Sequence, residues 1–335
     1  MTVAELTERE LIARIQAQLA PPPDWMLVGI GDDAAVVEPE RNRAEVLTVD
    51  ALVEGIHFDR AFVPPDAVGH RALAVNLSDL AAMGATPRLA LLSMVLPPSL
   101  PLDDFDGLVR GFASLAARHR LHLAGGNLTR SPGPLMLDVT VVGAIKRRQA
   151  LTRSGARPGD ELYVSGTLGA AAAGLQMLKH GRDTVSPALE SCLERYLRPE
   201  PRVRLGMLLA KNRVADACMD LSDGLADGIH QITRASGVGA VVDPDALPIS
   251  LEARRWFDTQ GIDAVTEAMI AGDDYELLVA VRPRAVRRFS SAIPQTEGLF
   301  TRIGTCTEDR KVVIRRASAG VPVEAPVPPA GYSHF

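Results

Sequence analysis

Six short stretches put acids or an amide at the ends of apolar segments, mostly beside glycine. They are Gly31-Asp32-Asp33, Thr48-Val49-Asp50, Asn76-Leu77-Ser78-Asp79, Gly125-Gly126-Asn127, Asp220-Leu221-Ser222-Asp223-Gly224 and Gly272-Asp273-Asp274. Taken singly, an Asp beside Gly suits a turn or a helix N-cap, and Asp79, late in a helical pattern, suits a structural acid. The repetition points to chemistry instead. Gathered carboxylates repel one another and lose hydration, so such a cluster needs cations. Oxygen donors with little His or Cys select a hard ion, Mg²⁺.

Other phosphate-binding devices fit less well. Gly29-Ile30-Gly31-Asp32-Asp33-Ala34 matches the dinucleotide pattern G-x-G-x-x-A, with Asp50 placed as a ribose-binding acid would be. Yet two acids stand where a pyrophosphate needs backbone N–H groups, and Val36-Val37 followed by Pro39 argues against a helix there. None of the four lysines, Lys146, Lys179, Lys211 and Lys311, follows a glycine, and no H-R-D loop occurs, so Walker A and protein-kinase sites are absent. Arg153 suits bidentate phosphate contacts, although a solvated boundary arginine explains it equally well. His57 follows Gly55-Ile56 near the acids, where a structural role competes with a binding one. Gly166-Thr167-Leu168-Gly169, between a strand and a helix, offers N–H groups to an anion or simply packs tightly.

The elements that must hold these groups are of both kinds. Thr7 and Glu10 have capping-box spacing ahead of Leu11, Ile12, Ile15 and Leu19, and Pro21-Pro22-Pro23 stops that helix. Short β runs follow, then an Ala- and Leu-rich helix over Ala67–Met83 with Gly84 as its stop. A strand (Leu89–Leu96), a helix (Asp103–Arg120), a short strand (Leu121–Ala124), a Gly-rich turn and a strand (Leu135–Ile145) complete the first half. The basic, polar run from Arg147 to Gly159 marks a domain boundary, giving domains 1–148 and 149–335. The second half alternates strands and helices from Glu161 to a C-terminal strand pair, and the Pro-rich stretch Val321–Pro329 reads as an extended surface tail. The fold class is α+β or α/β.

Composition bounds the rest. A chain of 335 residues can bury two cores, and 36 basic against 41 acidic residues gives 36 − 41 = −5, a poor balance for nucleic acid. Apolar runs such as Leu89–Leu96 fall short of the roughly 18 residues of a membrane span. The opening MTVAELTERE carries acid where a secretory signal carries base. Cys192, Cys218 and Cys306 lack C-x-x-C spacing, which excludes a disulfide scaffold or cysteine metal site and suits the reducing cytoplasm.

Seven segments in fixed order carry a resemblance: GIGDDAAVV (29–37), TVDALVEGIHF (48–58), HRALAVNLSDLAAMGATP (70–87), LTRSGARPGD (151–160), DLSDGLADGI (220–229), GDDYEL (272–277) and the terminal GYSHF. The chain thereby resembles the thiamine-monophosphate kinase family, within the superfamily of aminoimidazole ribonucleotide synthetase, selenophosphate synthetase and a hydrogenase maturation factor. The resemblance implies a two-domain ATP-binding fold. Its N-terminal mixed α/β domain binds ATP and Mg²⁺ and pairs its sheet across a homodimer, and a C-terminal α/β domain follows. It also implies ATP-dependent, in-line phosphorylation of thiamine phosphate to thiamine diphosphate, the final step of thiamine diphosphate biosynthesis, with several Mg²⁺ ions and no protein nucleophile. Position by position, Asp33, Thr48, Val49 through its backbone, Asp50, Asp79, Asn127, Asp220 and Asp223 fall on metal positions. Gly126, Asn127, Arg153 and Ser222 fall on nucleotide contacts, and His57, Asp273 and Tyr332 on thiamine phosphate contacts.

Three residues depart from the family pattern: Asn127 replaces the usual Asp, Asp273 the usual Glu, and Tyr332 stands where others have Trp or Phe. Two alternatives stay open, another ATP-dependent synthetase of the superfamily and a non-catalytic nucleotide-binding regulator. The absence of Cys before Cys192 and the ending Ser333-His334-Phe335 weigh against the selenophosphate and maturation-factor branches. Asn127→Asp should be tolerated and should lower the Mg²⁺ concentration needed for half-maximal turnover. Complete loss of activity in that variant would show that the amide has a role of its own.

Overall fold

The N-terminal capping box forms: Thr7 N donates to Glu10 Oε2 at 2.7 Å and Glu10 N to Thr7 Oγ1 at 3.4 Å, opening α1 (Glu8–Ala17). The computed structural model describes residues 1–181, 187–293, 299–318, 321–328 and 331. By internal contacts the chain divides into two units, Met1–Leu80 with Thr86–Arg147, and Ala81–Ala85 with Arg148–Phe335.

In the first unit α1 is followed by β1 (Met26–Val28), β2 (Val36–Val37), β3 (Arg43–Val53), α2 (Pro65–Met83), β4 (Thr86–Leu96), α3 (Leu102–Arg118), β5 (His122–Arg130) and β6 (Met136–Lys146). β1 and β2 form a small ribbon, and the main sheet has the order β3-β6-β4-β5. Period-two alternation gives this sheet two unlike faces. Thr48, Asp50, Val139, Val141 and Leu92 share the face on which Leu80 of α2 packs against Gly143. On the other face Leu47, Val49 and Leu91 are 66%, 58% and 41% exposed.

Helix α2 is set on the sheet by an unusually close crossing with α3. A methyl at Gly69 would lie 1.9 Å from the Leu108 carbonyl oxygen, and one at Gly111 would lie 1.8 Å from that of Asp66. Only glycine lets the two backbones meet here.

The second unit contains β7 (Glu161–Ser165), α4 (Ala170–His180), α5 (Glu190–Leu197), α6 (Val203–Asn212), β8 (Ala217–Asp220), α7 (Leu225–Ser236), β9 (Gly239–Val242), α8 (Leu251–Gln260), α9 (Ala264–Ile270), β10 (Leu277–Val281), α10 (Val286–Ala292), β11 (Phe300–Thr307), β12 (Val312–Ser318) and β13 (Val321–Pro326). Its strands form one sheet, β13-β12-β9-β11-β7-β10-β8, in which every residue of β10 is buried. Cys192, Cys218 and Cys306 are free and buried. Burial pushes the Cys192 thiol up to about 11 and that of Cys306 up to about 12, and raises Cys218 as well.

Three expectations change. Gly125-Gly126-Asn127 is not a turn but the middle of β5, where β4 and β5 pair in parallel across a register shift. A methyl at Gly126 would sit 1.9 Å from the Leu92 carbonyl oxygen, so the glycine marks close strand approach. Residues 264–270, left unassigned by periodicity, form α9, and the Pro-rich stretch begins as β13, paired to β12.

Gly111→Ala should cost about 1–3 kcal/mol, because the α2–α3 crossing must open to admit the methyl. A lowered denaturation midpoint checks this, and an unchanged midpoint would show that the crossing can relax.

Candidate active site

The first unit's acids are held by strand, helix and turn together. Thr48 and Asp50 lie on the helix-facing side of edge strand β3, and Thr48 Oγ1 donates to Asp79 Oδ2 from α2. Asp79 stands half-buried near the end of that helix. Val49 turns its side chain to the opposite face, leaving its main chain between two acid-side residues. Asp33 is exposed in the loop between β1 and β2, its N–H donating to the neighbouring Asp32 Oδ1 at 2.8 Å. Gln16 Nε2 donates to Ile30 O at 2.9 Å, tying the loop's entry to α1. β2 follows this loop where a dinucleotide fold would have a helix.

His57 sits in the turn after β3. Val53 N donates to its Nδ1 at 3.0 Å, so in this geometry the ring carries its proton on Nε2. The turn is braced by Glu54, which accepts from Leu135 N at 3.1 Å and from Arg60 Nε at 2.8 Å.

Gly126 and Asn127 lie elsewhere on the sheet. Register puts Gly126 in one row with Leu92, Val139 and Asp50, and Asn127 in the next row with Ser93, Asp138 and Ala51, on the opposite face from Asp50. With β3 and β5 at the two edges, three strand spacings or about 14 Å separate them. Within one chain Asn127 and Asp50 therefore cannot hold the same ion.

The second unit interlocks two acidic turns, one after the end of β8 and one before the start of β10. Leu221 N donates to Glu276 O at 2.8 Å, Tyr275 N to Leu221 O at 3.0 Å and Asp273 N to Ser222 O at 2.8 Å. Asp220, Ser222, Asp223 and Asp273 are thus fixed beside one another, Asp220 buried and the other three half-buried. Asp273 and Tyr275 both have left-handed backbones, with φ of 69° and 49°. Arg153 is exposed and donates to Gln231 Oε1, whose amide nitrogen in turn donates to Asp227 Oδ2 on α7. A methyl at Gly331 would meet Asp227 and the Asp223 carbonyl oxygen, so the chain returns to these acids. Tyr332 lies outside the described residues.

Several of these partners were not singled out from sequence. Asp227 and Gln231 have (i, i+4) helical spacing, a legible signal. Beneath the turn, Glu276 has no exposed surface and accepts from Arg195 Nη2 and Arg202 Nε, both at 2.7 Å, and from Ser165 Oγ at 2.6 Å. The Gly166–Gly169 junction is filled from within: Gly169 N donates to both carboxylate oxygens of Asp274, at 3.1 and 2.9 Å. The anion at this helix start is the protein's own.

Two families of domain cover most of the chain: the AIR synthase related protein N-terminal domain matches residues 31–145 and the corresponding C-terminal domain residues 157–316. The thiamine-monophosphate kinase of Salmonella typhimurium is 39% identical over 311 residues, which are 92% of this chain and 91% of that protein. The chain belongs to the thiamine-monophosphate kinase family. The crystal structure of the Stenotrophomonas maltophilia thiamine-monophosphate kinase aligns at a TM-score of 0.82 and 40% identity, covering 92% of this chain and 96% of that one. AaThiL complexed with AMPPCP and TMP aligns at 0.77 and 32%, covering 100% and 99%.

For a member of this family the donor chemistry suits Mg²⁺. The candidate ligands Thr48, Asp50, Asp79, Asp220 and Asp223 are all oxygen donors, and the Thr48–Asp79 bond holds two of them in contact. Among the described residues no three His, Cys, Asp or Glu side chains are gathered into a metal-binding group.

Burial pushes the Asp274 carboxyl up to about 7, against the pull of the Gly169 N–H and of Arg195. A carboxyl raised on folding favours the folded state fully below its unfolded value, about pH 4, and that contribution is lost as pH rises through about 7. Asp274→Asn should therefore lose less stability than the wild type between those limits. Denaturation midpoints at about pH 4.5 and about pH 7.5 check this, and parallel falls in the two proteins would show that Asp274 is not the source.

Proposed function

We propose that this chain is an ATP-dependent thiamine-phosphate kinase, transferring the γ-phosphoryl group of ATP in line to thiamine phosphate and releasing thiamine diphosphate and ADP. The observation that carries the reading is the likeness over its whole length, at 32% identity, to AaThiL complexed with AMPPCP and TMP. AMPPCP stands for ATP with its transferable bond made inert.

The residues serve that chemistry in two groups. In domain 1–148, Asp33, Thr48, the Val49 carbonyl, Asp50 and Asp79 would hold metal, Asn127 would offer an amide oxygen to a different ion from the one at Asp50, and Gly126 and Asn127 lie on the nucleotide side. In domain 149–335, Asp220 and Asp223 would hold metal, Ser222 and Arg153 meet ATP, and Asp273 and Tyr332 meet thiamine phosphate, as does His57 of domain 1–148. Bound Mg²⁺ neutralises the phosphates and the charge that develops on them. The protein's own groups do the rest by placement. Arg153, held by Gln231, presents a planar fork to phosphate oxygens, and the interlocked turns keep Ser222 and Asp273 adjacent. Two anionic reactants need alignment and neutralisation more than a nucleophile, which accounts for the lack of any Ser-His-Asp or Cys requirement.

A homodimer is part of this reading, and it is supported by an exposed apolar face in the first unit. Its sheet leaves Leu47, Val49 and Leu91 exposed on one face, and a second copy of that face covers them with like side chains. No helix among the described residues is long and apolar enough to cross a membrane, and three buried unpaired thiols suit the cytoplasm.

Purified protein incubated with ATP, Mg²⁺ and thiamine phosphate should form ADP and thiamine diphosphate in equal amounts. Absence of both products refutes the kinase reading and favours a nucleotide-binding regulator. Asp50→Asn or Asp220→Asn should lower turnover at least about 100-fold with little change in the unfolding midpoint. Near-normal turnover at saturating Mg²⁺ in either variant removes that residue from the metal sites.

A further inference from the structure

We infer that Tyr275 is a positioning residue for the acceptor substrate, acting through the carboxylate of Asp273. The inference rests on the proposed function and adds to it a residue that decides how one substrate is held.

Four observations support it. Tyr275 Oη donates to Asp273 Oδ1 at 2.9 Å, a contact between side chains two residues apart. Both residues occupy the left-handed region, at φ 69° and 49°, which is unfavourable for a non-glycine residue. Aspartate tolerates that conformation through its short polar side chain, but tyrosine does not share that reason. The backbone of the turn is also held independently of the hydroxyl. Asp273 N and Tyr275 N donate to Ser222 O and Leu221 O, and Arg195 Nη2 spans Asp274 O at 3.0 Å and Glu276 Oε1 at 2.7 Å.

The tyrosine ring is 6% exposed, whereas Asp273 is half-buried. The hydroxyl therefore approaches the carboxylate from the protein side. A donor fixed on Oδ1 sets the plane of the carboxylate and so the direction in which Oδ2 points. A carboxylate recognises the cationic ring or amino group of thiamine phosphate, since its phosphate end is anionic like the acid itself. The strained turn thus has a return: it fixes the acid proposed to meet the organic end of the acceptor.

The test measures KM for each substrate and kcat in the full-length protein. Tyr275→Phe keeps the ring and removes one buried hydroxyl, a change the fold withstands. It should raise the KM for thiamine phosphate about tenfold, the equivalent of one well-placed hydrogen bond, while the KM for ATP stays within about twofold. Asp273→Gly removes the carboxylate and accepts the positive φ without strain. In that background Tyr275→Phe should add nothing further to the KM for thiamine phosphate, because a residue acting through Asp273 has nothing left to position.

An unchanged KM for thiamine phosphate in Tyr275→Phe overturns the inference, as does an equal rise in both KM values or full additivity in the double variant. These results leave the kinase reading intact if the wild type forms thiamine diphosphate. A wild type that forms none overturns both.

Discussion

A carboxylate with no exposed surface, Glu276, is held by two guanidinium groups and a hydroxyl, and the second unit's acidic turns are built outward from it. Left unpaired, such a charge would be strongly unfavourable, so Arg195 and Arg202 must stay where they are. Ser165 completes the arrangement by accepting from Leu277 N at 2.8 Å while donating to Glu276, which joins β7 to the start of β10. The same Arg195 reaches the carbonyl of Asp274. One buried carboxylate with its two arginines therefore fixes the strand, the capped helix and the turn that carries Asp273.

The first unit solves the same problem, presenting acids without collapse or repulsion, by other means. Asp79 is placed by a helix whose height on the sheet is set by glycine contacts with α3, and its carboxylate is occupied by the Thr48 hydroxyl. Asp33 sits in an exposed loop, its N–H bound to the neighbouring Asp32 carboxylate. Neither arrangement forces many like charges together in the protein alone. Two small oxygen sets, each tolerable by itself, fit the proposed phosphoryl transfer, in which cations would arrive with the nucleotide.

Much of this was legible from residue order. Thr7 and Glu10 announce a helix start that forms, Gly84 ends α2, and the acids of 31–33, 220–224 and 272–274 stand beside strand ends, whereas Thr48-Val49-Asp50 lies inside β3. What escaped has physical causes. Glycine pairs usually break strands, yet Gly125-Gly126 stay in β5 because the neighbouring strand approaches too closely for a side chain. The seven-residue α9 shows too little periodicity to detect, and its one local sign is Asp263, which accepts from Thr266 N at 3.0 Å. Asp274 read as one more acid in a Gly-flanked turn; only the fold reveals that it fills a helix N-terminus more than 100 residues earlier in the chain. Sheet order separates Asn127 from Asp50, and one-dimensional spacing cannot express sheet order.

All three thiols lie in the second unit, on α5, β8 and β11, and all are buried and held protonated. A protonated, enclosed thiol is inert toward alkylating reagents, and it reacts only when the surrounding segment opens. The native chain thus carries an unengineered reporter in one half only. The rate at which maleimide or iodoacetamide labels each cysteine gives the opening free energy of that half, separately from the other and with no introduced label.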